Sequence, residues 1–376
     1  MADVSLVFGR SSGGVTARAG LIGAAVIAVA AVALFVGARF GLMLAIGLGF
    51  GVALEGLGFG FAGPWRAMIL RREPAGILAQ LLAIALVACV AIPLLAAHPD
   101  ELIGAQAPIG WAMVGGAFVF GAAMQVVLGC GSGTLVNAGS GNPVGLLALP
   151  FFAIGSFAGA YHLIWWTGLG ALPILALRGT VGLMITLLAL ALTAMLFWRL
   201  GKPGSRRVPA RYLLAAAALA GLAVANLVVA GQPWGVVYGL GVWAAKGAVA
   251  LGADLSGSAF WAAPASVERL NASILTDYTS LTDIGLLAGA FGVAAWRRGG
   301  LAQPLQSYPA RAWVAAVVAG LLLGYSSRLA FGCNVGAFFS GIATGSLHGW
   351  VWFVAAFAGA FVGIRIRPLL GLEVRR

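Results

Sequence analysis

Apolar residues along this chain fall into long runs separated by short polar loops, at about 20–38, 41–61, 76–97, 109–128, 144–160, 162–178, 181–198, 212–230, 234–252, 284–296, 312–330 and 349–365. No credible strand pattern interrupts them. A helix crosses a bilayer with about 20 apolar residues, so the pattern predicts an all-α polytopic membrane protein with about nine to eleven transmembrane helices plus short re-entrant helices. No polar stretch is long enough for an extramembrane domain, and residues 1–376 are read as a single membrane domain. Arg10 and Arg18 ahead of the run from Leu21 to Val36 have the look of a signal peptide. Yet no small-residue cleavage site follows and a second apolar run starts almost at once, so this is read as a retained first helix.

Composition sharpens the picture. Of the 376 residues 61% are hydrophobic and 9% charged, with a mean hydropathy of +1.02. A soluble domain carries roughly a quarter of its residues charged, so a water-soluble fold is excluded. The 22 Lys and Arg against 10 Asp and Glu give +12, of which membrane topology rather than nucleic acid is the simpler reading. The basic clusters are Arg66, Arg71 and Arg72; Arg199, Lys202, Arg206, Arg207 and Arg211; Arg297, Arg298 and Arg311; and Arg365, Arg367, Arg375 and Arg376. The positive-inside rule puts all four, and the C-terminus, on the cytoplasmic side. The loop from His98 to Pro108, with Asp100 and Glu101, belongs outside, as does 253–283, with Asp254, Glu268, Asp277 and Asp283 against Arg269 alone. The run 234–252 then lies between two outside points, and a re-entrant or broken helix is expected there.

The segment GAAMQVVLGCGSG from Gly121 aligns without gaps on GYSSRLAFGCNVG from Gly324. Gly121, Gly129, Cys130 and Gly133 match Gly324, Gly332, Cys333 and Gly336 at one offset of 203. Each copy then passes through a glycine-rich stretch, GSGNPVG or GIATGSLHG, into a long apolar helix. A duplicated half explains this, with one half at about 41–198 and the other at about 212–365. The helix before Cys130 leaves an acidic outside loop, whereas the helix before Cys333 leaves a basic inside loop. The copies are therefore expected to be inverted, as in transporters whose binding sites form near the midplane where broken helices meet. Broken backbone survives in a bilayer only where protein buries it or a polar pathway runs past.

Helix restarts present unpaired N–H groups and a positive dipole end, a setting for anions. Ser132 or Thr134 is placed to cap one restart, Asn142-Pro143 reads as N-cap and first helical residue of the next helix, and Ser346 is placed to cap its counterpart. Cys130 and Cys333 sit beside these breaks. A neutral thiol is a weak donor and a soft, polarizable neighbour, suited to a sulfur-containing anion. A free cysteine with its usual pKa near 8.5 stays neutral at pH 7, so it does not repel such cargo. Pathway candidates are therefore Cys130, Cys333, Gly129, Gly131, Ser132, Gly332 and Asn334, with Arg328 as an oxyanion fork five residues before Cys333. Asn137 and Lys246 are weaker candidates; Lys246 alternatively pairs with Asp254 or snorkels to the outer surface. Glu55 is expected to pair with Arg66 or a lysine, and Cys89, mid-helix, to be a small buried hydrophobe. His98, His162 and His348 are scattered and give no metal-ligand spacing with the cysteines. GCGSG lacks the Lys-Ser/Thr of a phosphate loop. No metal, cofactor, nucleic acid partner or enzymatic constellation is expected.

The pair LGCGSG and FGCNVGAFFSGIATGSLHGW, with GFGVALEGLGFGFAGPWRAM near the start, resembles the YeeE/YedE family of bacterial inner-membrane sulfur transporters, at roughly 41–72, 115–160, 231–250 and 315–365. The resemblance implies an inverted-repeat, all-helical protein with a central constriction where cysteine thiols hand thiosulfate along by S–H hydrogen bonds, Cys130 and Cys333 matching two of the pathway cysteines. Thiosulfate-type members carry a third cysteine after a phenylalanine in the first short segment; here Gly60 follows Phe59, with Gly63-Pro64-Trp65-Arg66 after it, and the resemblance makes Gly60 a further pathway candidate. The cargo is thus expected to be a small sulfur-containing anion, thiosulfate or a related sulfur or selenium species, with a soluble sulfur-accepting protein as a further candidate partner. The alternative is a membrane thiol-redox or sulfur-transfer protein using Cys130 and Cys333 with a soluble partner.

Overall fold

The structure, a computed structural model, describes residues 13–298 and 308–372. In chain order the helices are α1 (Gly13–Phe35), α2 (Ala38–Leu57), α3 (Ala62–Arg71), α4 (Ala75–Ala97), α5 (Trp111–Val127), α6 (Gly131–Gly139), α7 (Pro143–Tyr161), α8 (Leu163–Thr167), α9 (Gly179–Leu200), α10 (Ala210–Ala230), α11 (Val237–Ala250), α12 (Pro264–Asn271), α13 (Tyr278–Arg298), α14 (Ala310–Leu329), α15 (Ser340–Ala343) and α16 (His348–Ile366). A turn of π-helix, Asn334–Phe339, leads into α15. Ten segments among the described residues are long and apolar enough to cross a membrane, and the chain is an all-α polytopic membrane protein.

Small residues bring the long helices together. α2 packs on α13, α5 on α16 and α7 on α14. A Cβ added at Gly121 would stand 1.9 Å from the Ala356 carbonyl, and one at Gly324 2.1 Å from that of Phe152. Lipid tails are as apolar as leucine, so helices in a bilayer gain from close backbone approach rather than from burying apolar surface.

Loop bonds sort the ends into two faces. On one, Lys202 N–H donates to the Arg72 carbonyl at 2.8 Å, and Arg298 Nη2 to the Ser140 carbonyl at 2.8 Å. On the other, Ile103 N–H donates to Gly231 O at 2.9 Å, and Ala105 N–H to Thr344 Oγ1 at 3.0 Å. The turn after Cys130 therefore lies on the basic face and the turn after Cys333 on the acidic one. The copies are inverted.

The run at 162–178 differs from expectation. Only α8 is helical there; Ala171–Leu172 pairs antiparallel with Ile109–Gly110, a two-residue ladder. Leu177 N–H donates to Gly345 O at 2.7 Å and Leu347 N–H to Leu175 O at 3.0 Å. Gly168, Gly170 and Pro173 break the helix, and loop partners satisfy the freed backbone. The run at 234–252 forms only α11, whose 14 residues span about 21 Å, short of the roughly 30 Å hydrocarbon core.

Candidate functional site

Each Gly-Cys segment breaks its helix in the same way. Leu128 (φ 53°) and Phe331 (φ 55°) are left-handed, and with Arg72 they are the non-glycine residues so placed among those described. This conformation costs an L-residue about 1–2 kcal/mol, and such strain collects at functional sites. Gly129 and Gly332 follow, and a Cβ on Gly332 would meet Ala337 N at 2.7 Å. Cys130 (φ −80°, ψ −163°) and Cys333 (φ −95°, ψ −167°) then stand extended at the restarts.

Cys130 is itself the N-cap of α6, correcting the expectation that Ser132 or Thr134 would be. Its Sγ accepts from Gly133 N–H at 3.4 Å and lies 3.4 Å from Ser132 Oγ, while Thr134 Oγ1 donates to the Cys130 carbonyl at 2.7 Å. Asn142 Oδ1 caps α7 as expected, accepting from Val144 and Gly145 N–H at 3.0 and 3.2 Å. Ser346 does not cap α16, which follows Leu347; its hydroxyl lies 2.7 Å from His348 Nδ1.

The two cysteine segments meet. A Cβ on Gly131 would stand 2.8 Å from Cys333 Sγ and 3.3 Å from Val236 Cγ1. Amides of Val335, Gly336 and Gly131 lie around that sulfur. Asn334, fully buried, has no partner for its amide nitrogen or oxygen among the described residues. On one side Phe339 packs edge-on to Trp234, which stacks on Phe50 at 3.9 Å between ring centroids.

A cavity of about 440 Å³ opens beside this point, lined by Gly60, Gly129, Cys130, Ser132 and Asn137, with Arg71 and Glu73. A second, of about 450 Å³, holds Arg66, Arg71 and Arg367 together with Asn137 and Asn142. The cavities share Gly63, Ala67, Arg71, Leu128 and Asn137. Both therefore belong to the basic face. Glu73 is held below the usual carboxylate range by the hydrogen bond from Arg71, and by the charges of Arg71 and Lys202, against a smaller effect of burial. Arg367 donates to the Gln125, Val126 and Leu372 carbonyls, so its charge caps the C-terminus of α5.

Gly60 borders the first cavity, and a Cβ there would meet nothing within 4 Å. The segment carrying it is held by residues the sequence reading passed over. Gln80 Nε2 donates to Gly60 O at 2.8 Å and Gln80 Oε1 accepts from Trp65 Nε1 at 3.0 Å. Gln125 Nε2 donates to Ala62 O at 3.0 Å. A buried amide within an apolar helix was the available signal.

Other candidates lie elsewhere. Arg328 lines neither cavity; its guanidinium sits 5.2 Å from the Tyr238 ring centroid and 4.7 Å from that of Phe260. Lys246 Nζ donates to the Leu270 and Ala272 carbonyls at 2.6 and 2.5 Å, and Asp254 bonds Ser256 instead. Glu55 pairs with Arg297 at 3.4 Å, not with Arg66 or a lysine. Cys89 is exposed, not buried, on a helix apolar enough to present it to lipid.

The pattern of the family described as Sulphur transport matches residues 58–362. The chain is similar to the probable transporter YedE of Escherichia coli strain K12, 32% identical over 110 residues, 28% of this chain and 27% of that protein. Its Salmonella typhimurium counterpart is 33% identical over 110 residues, with the same coverage. The match thus spans about a quarter of the YedE proteins. The thiosulfate transporter TsuA of Spirochaeta thermophila is 26% identical over 266 residues, 63% of this chain and 71% of that protein.

Proposed function

The chain belongs to the sulphur-transport family, and from that premise we propose that it carries thiosulfate, or a closely related sulfur or selenium anion, across the bacterial inner membrane. It is a transporter rather than an enzyme. The basic face and the C-terminus are cytoplasmic, following the positive-inside rule. The halves at about 41–198 and 212–365 meet at a constriction formed by Cys130, Cys333 and Gly131. The observation that carries this reading is the placement of Cys333 Sγ against Gly131, one residue from the thiol that borders the cavity on the basic side.

Two strained breaks aim helix starts at the same place, and a dianion there meets N–H groups and a positive dipole from each copy. The thiols add weak S–H donors that match a soft terminal sulfur. Weak binding at several sites lets an ion leave as well as enter. Arg66, Arg71 and Arg367 then make the basic-side vestibule attractive to an anion after it has passed the thiols. The similarity to a protein named as a thiosulfate transporter supports this cargo. Gly60 leaves the vestibule without the third thiol of thiosulfate-type relatives, so two thiols carry the relay.

Purified protein in liposomes, given radiolabelled thiosulfate, tests the proposal. Uptake is expected, and Cys333→Ala should lower it at least a hundredfold while the protein still elutes as a single species in detergent. Uptake by that variant at the unsubstituted rate refutes the relay, and no uptake of any sulfur or selenium anion by the unsubstituted protein refutes the transport reading.

A further inference from the structure

The offset of 203 that relates the cysteine segments also relates α4 to α13, which begin at Ala75 and Tyr278. It pairs Gln80 with Asp283 and Gln125 with Arg328. In the first copy both glutamines brace the start of α3 through Gly60 O and Ala62 O. In the second copy Asp283 and Arg328 flank the first turn of α11. Arg328 does so over the Tyr238 ring. Asp283 does so at Gly239, where a Cβ would stand 2.7 Å from Oδ2. Gln80 has its hydrogen bonds, but Asp283, fully buried, has no partner for either carboxylate oxygen among the described residues.

The charged groups on α13 and on the elements packed against it are committed elsewhere, while Arg328 of α14, beside the same turn of α11, lies over the Tyr238 and Phe260 rings and keeps a buried Nε without a hydrogen bond among the described residues. On α13 itself Arg297 binds Glu55 and the Gly56 carbonyl, and Arg298 binds Ser140 O, at the far end of the helix. Asp277, at the near end, caps Ser280 N–H at 2.8 Å. Of the elements packed on α13, α2 brings Arg39, which bonds Val229 O and covers the Tyr278 ring, and Glu55. α11 brings Lys246, held by the Leu270 and Ala272 carbonyls. α1 brings Arg18, over the Trp296 ring. α6 and the turn Ile274–Thr276 bring no charged side chain. The neighbouring hydroxyls do not turn to the carboxyl either: Thr282 Oγ1 donates to the Tyr278 and Thr279 carbonyls, and Ser280 Oγ accepts from Trp243 Nε1. A metal ion such as Mg²⁺ or Ca²⁺ takes six or more oxygen ligands, and this shell does not offer them. A proton needs only the carboxylate.

We propose that Asp283 is the proton-binding group that couples passage of the anion to proton entry, an inference that rests on the transport reading above. In the conformation seen, an unpartnered carboxyl in this interior is neutral, because an ionised one without a partner is far costlier to bury. Loss of the proton creates a negative charge beside the first turn of α11, whose N-terminal N–H groups have no side-chain cap. A helix N-terminus attracts that charge. The same turn begins at Val236, whose Cγ1 faces Gly131 at the constriction, 3.3 Å from where a Cβ on that glycine would stand. Protonation at Asp283 therefore sets the position of a turn that closes on the thiols. One proton binds the carboxylate from the acidic face and leaves to water on the basic face as the dianion passes, so only an O–H bond forms and breaks.

The test uses the full chain in liposomes with thiosulfate and with the membrane potential clamped at zero by valinomycin and equal potassium. A pH difference of one unit, acid on the side from which the anion enters, should drive accumulation of up to about tenfold per coupled proton, with alkalinisation of that side. Asp283→Asn keeps the shape and cannot give up a proton. It is expected to retain thiosulfate exchange at equal concentrations on both sides but to lose pH-driven accumulation and the accompanying proton movement. Accumulation by Asp283→Asn equal to that of the unsubstituted protein overturns the proposal, as does proton-free transport by the unsubstituted protein or dependence on sodium instead. Loss of exchange together with accumulation also overturns it, since Asp283 would then hold the pathway together rather than couple it. Complete absence of exchange by the unsubstituted protein, of thiosulfate and of the related sulfur and selenium anions alike, instead removes the transport reading, a result distinct from all of these.

Discussion

Gly131→Ala asks whether the contact between the two copies is the constriction. The new methyl would stand 2.8 Å from Cys333 Sγ, 3.3 Å from Val236 Cγ1 and 3.4 Å from Cys333 Cβ. Ordinary contacts between such atoms begin at about 3.5–4.0 Å, so the sulfur must retreat by about 0.7–1.2 Å. Neither neighbour is the end of a long, flexible side chain, because Cys333 is fixed at a helix restart and Val236 precedes α11. Overpacking of this kind costs about 1–3 kcal/mol. The methyl also occupies the space an ion needs between the copies. Uptake of thiosulfate into liposomes should fall at least tenfold, about 1.4 kcal/mol in barrier, with a lower unfolding temperature in detergent. Gly60→Ala is the matched control, since its methyl meets nothing within 4 Å, and it should leave uptake and stability unchanged. Uptake by Gly131→Ala at the unsubstituted rate would show that the anion does not pass between Gly131 and Cys333.

Gly60→Cys adds a thiol on the cavity wall without a clash; it should react with a membrane-impermeant maleimide from the basic face, and protection from that face would contradict the cavity's opening. Gln80→Leu strips Trp65 Nε1 and Gly60 O of their partners, and an unsatisfied buried group costs about 1–3 kcal/mol, so thermal unfolding in detergent should come earlier. Glu73, with its carboxyl stabilised in the ionised form by Arg71, contributes stability present above an unfolded value of about 4.3 and lost as pH falls through the lower folded value. The pair is exposed, so Glu73→Gln should lower stability by under about 1 kcal/mol at about pH 6–8 and by less in acid, and an effect that grows as pH falls below the carboxylate range would contradict this sign.

The sequence by itself determined the membrane setting, nearly every spanning helix and the two Gly-Cys breaks. Each of these is local chemistry: a run of apolar residues has the length of a bilayer, and Leu128-Gly129-Cys130 and Phe331-Gly332-Cys333 carry their own backbone geometry. The run 162–178 misled because hydropathy reports the solvent and not the loop partners that satisfy Leu175 and Leu177. Tertiary structure alone decided which groups meet. Glu55 finds Arg297 at a separation of 242 residues, and Cys333 finds Gly131 across two inverted copies. Cys89 turned outward and Ile84 inward, a choice that a helix apolar on every face does not encode. In a bilayer the polar and apolar pattern no longer separates buried from exposed, so the facing of each helix is set by close packing of small residues and by the few polar groups that must find one another.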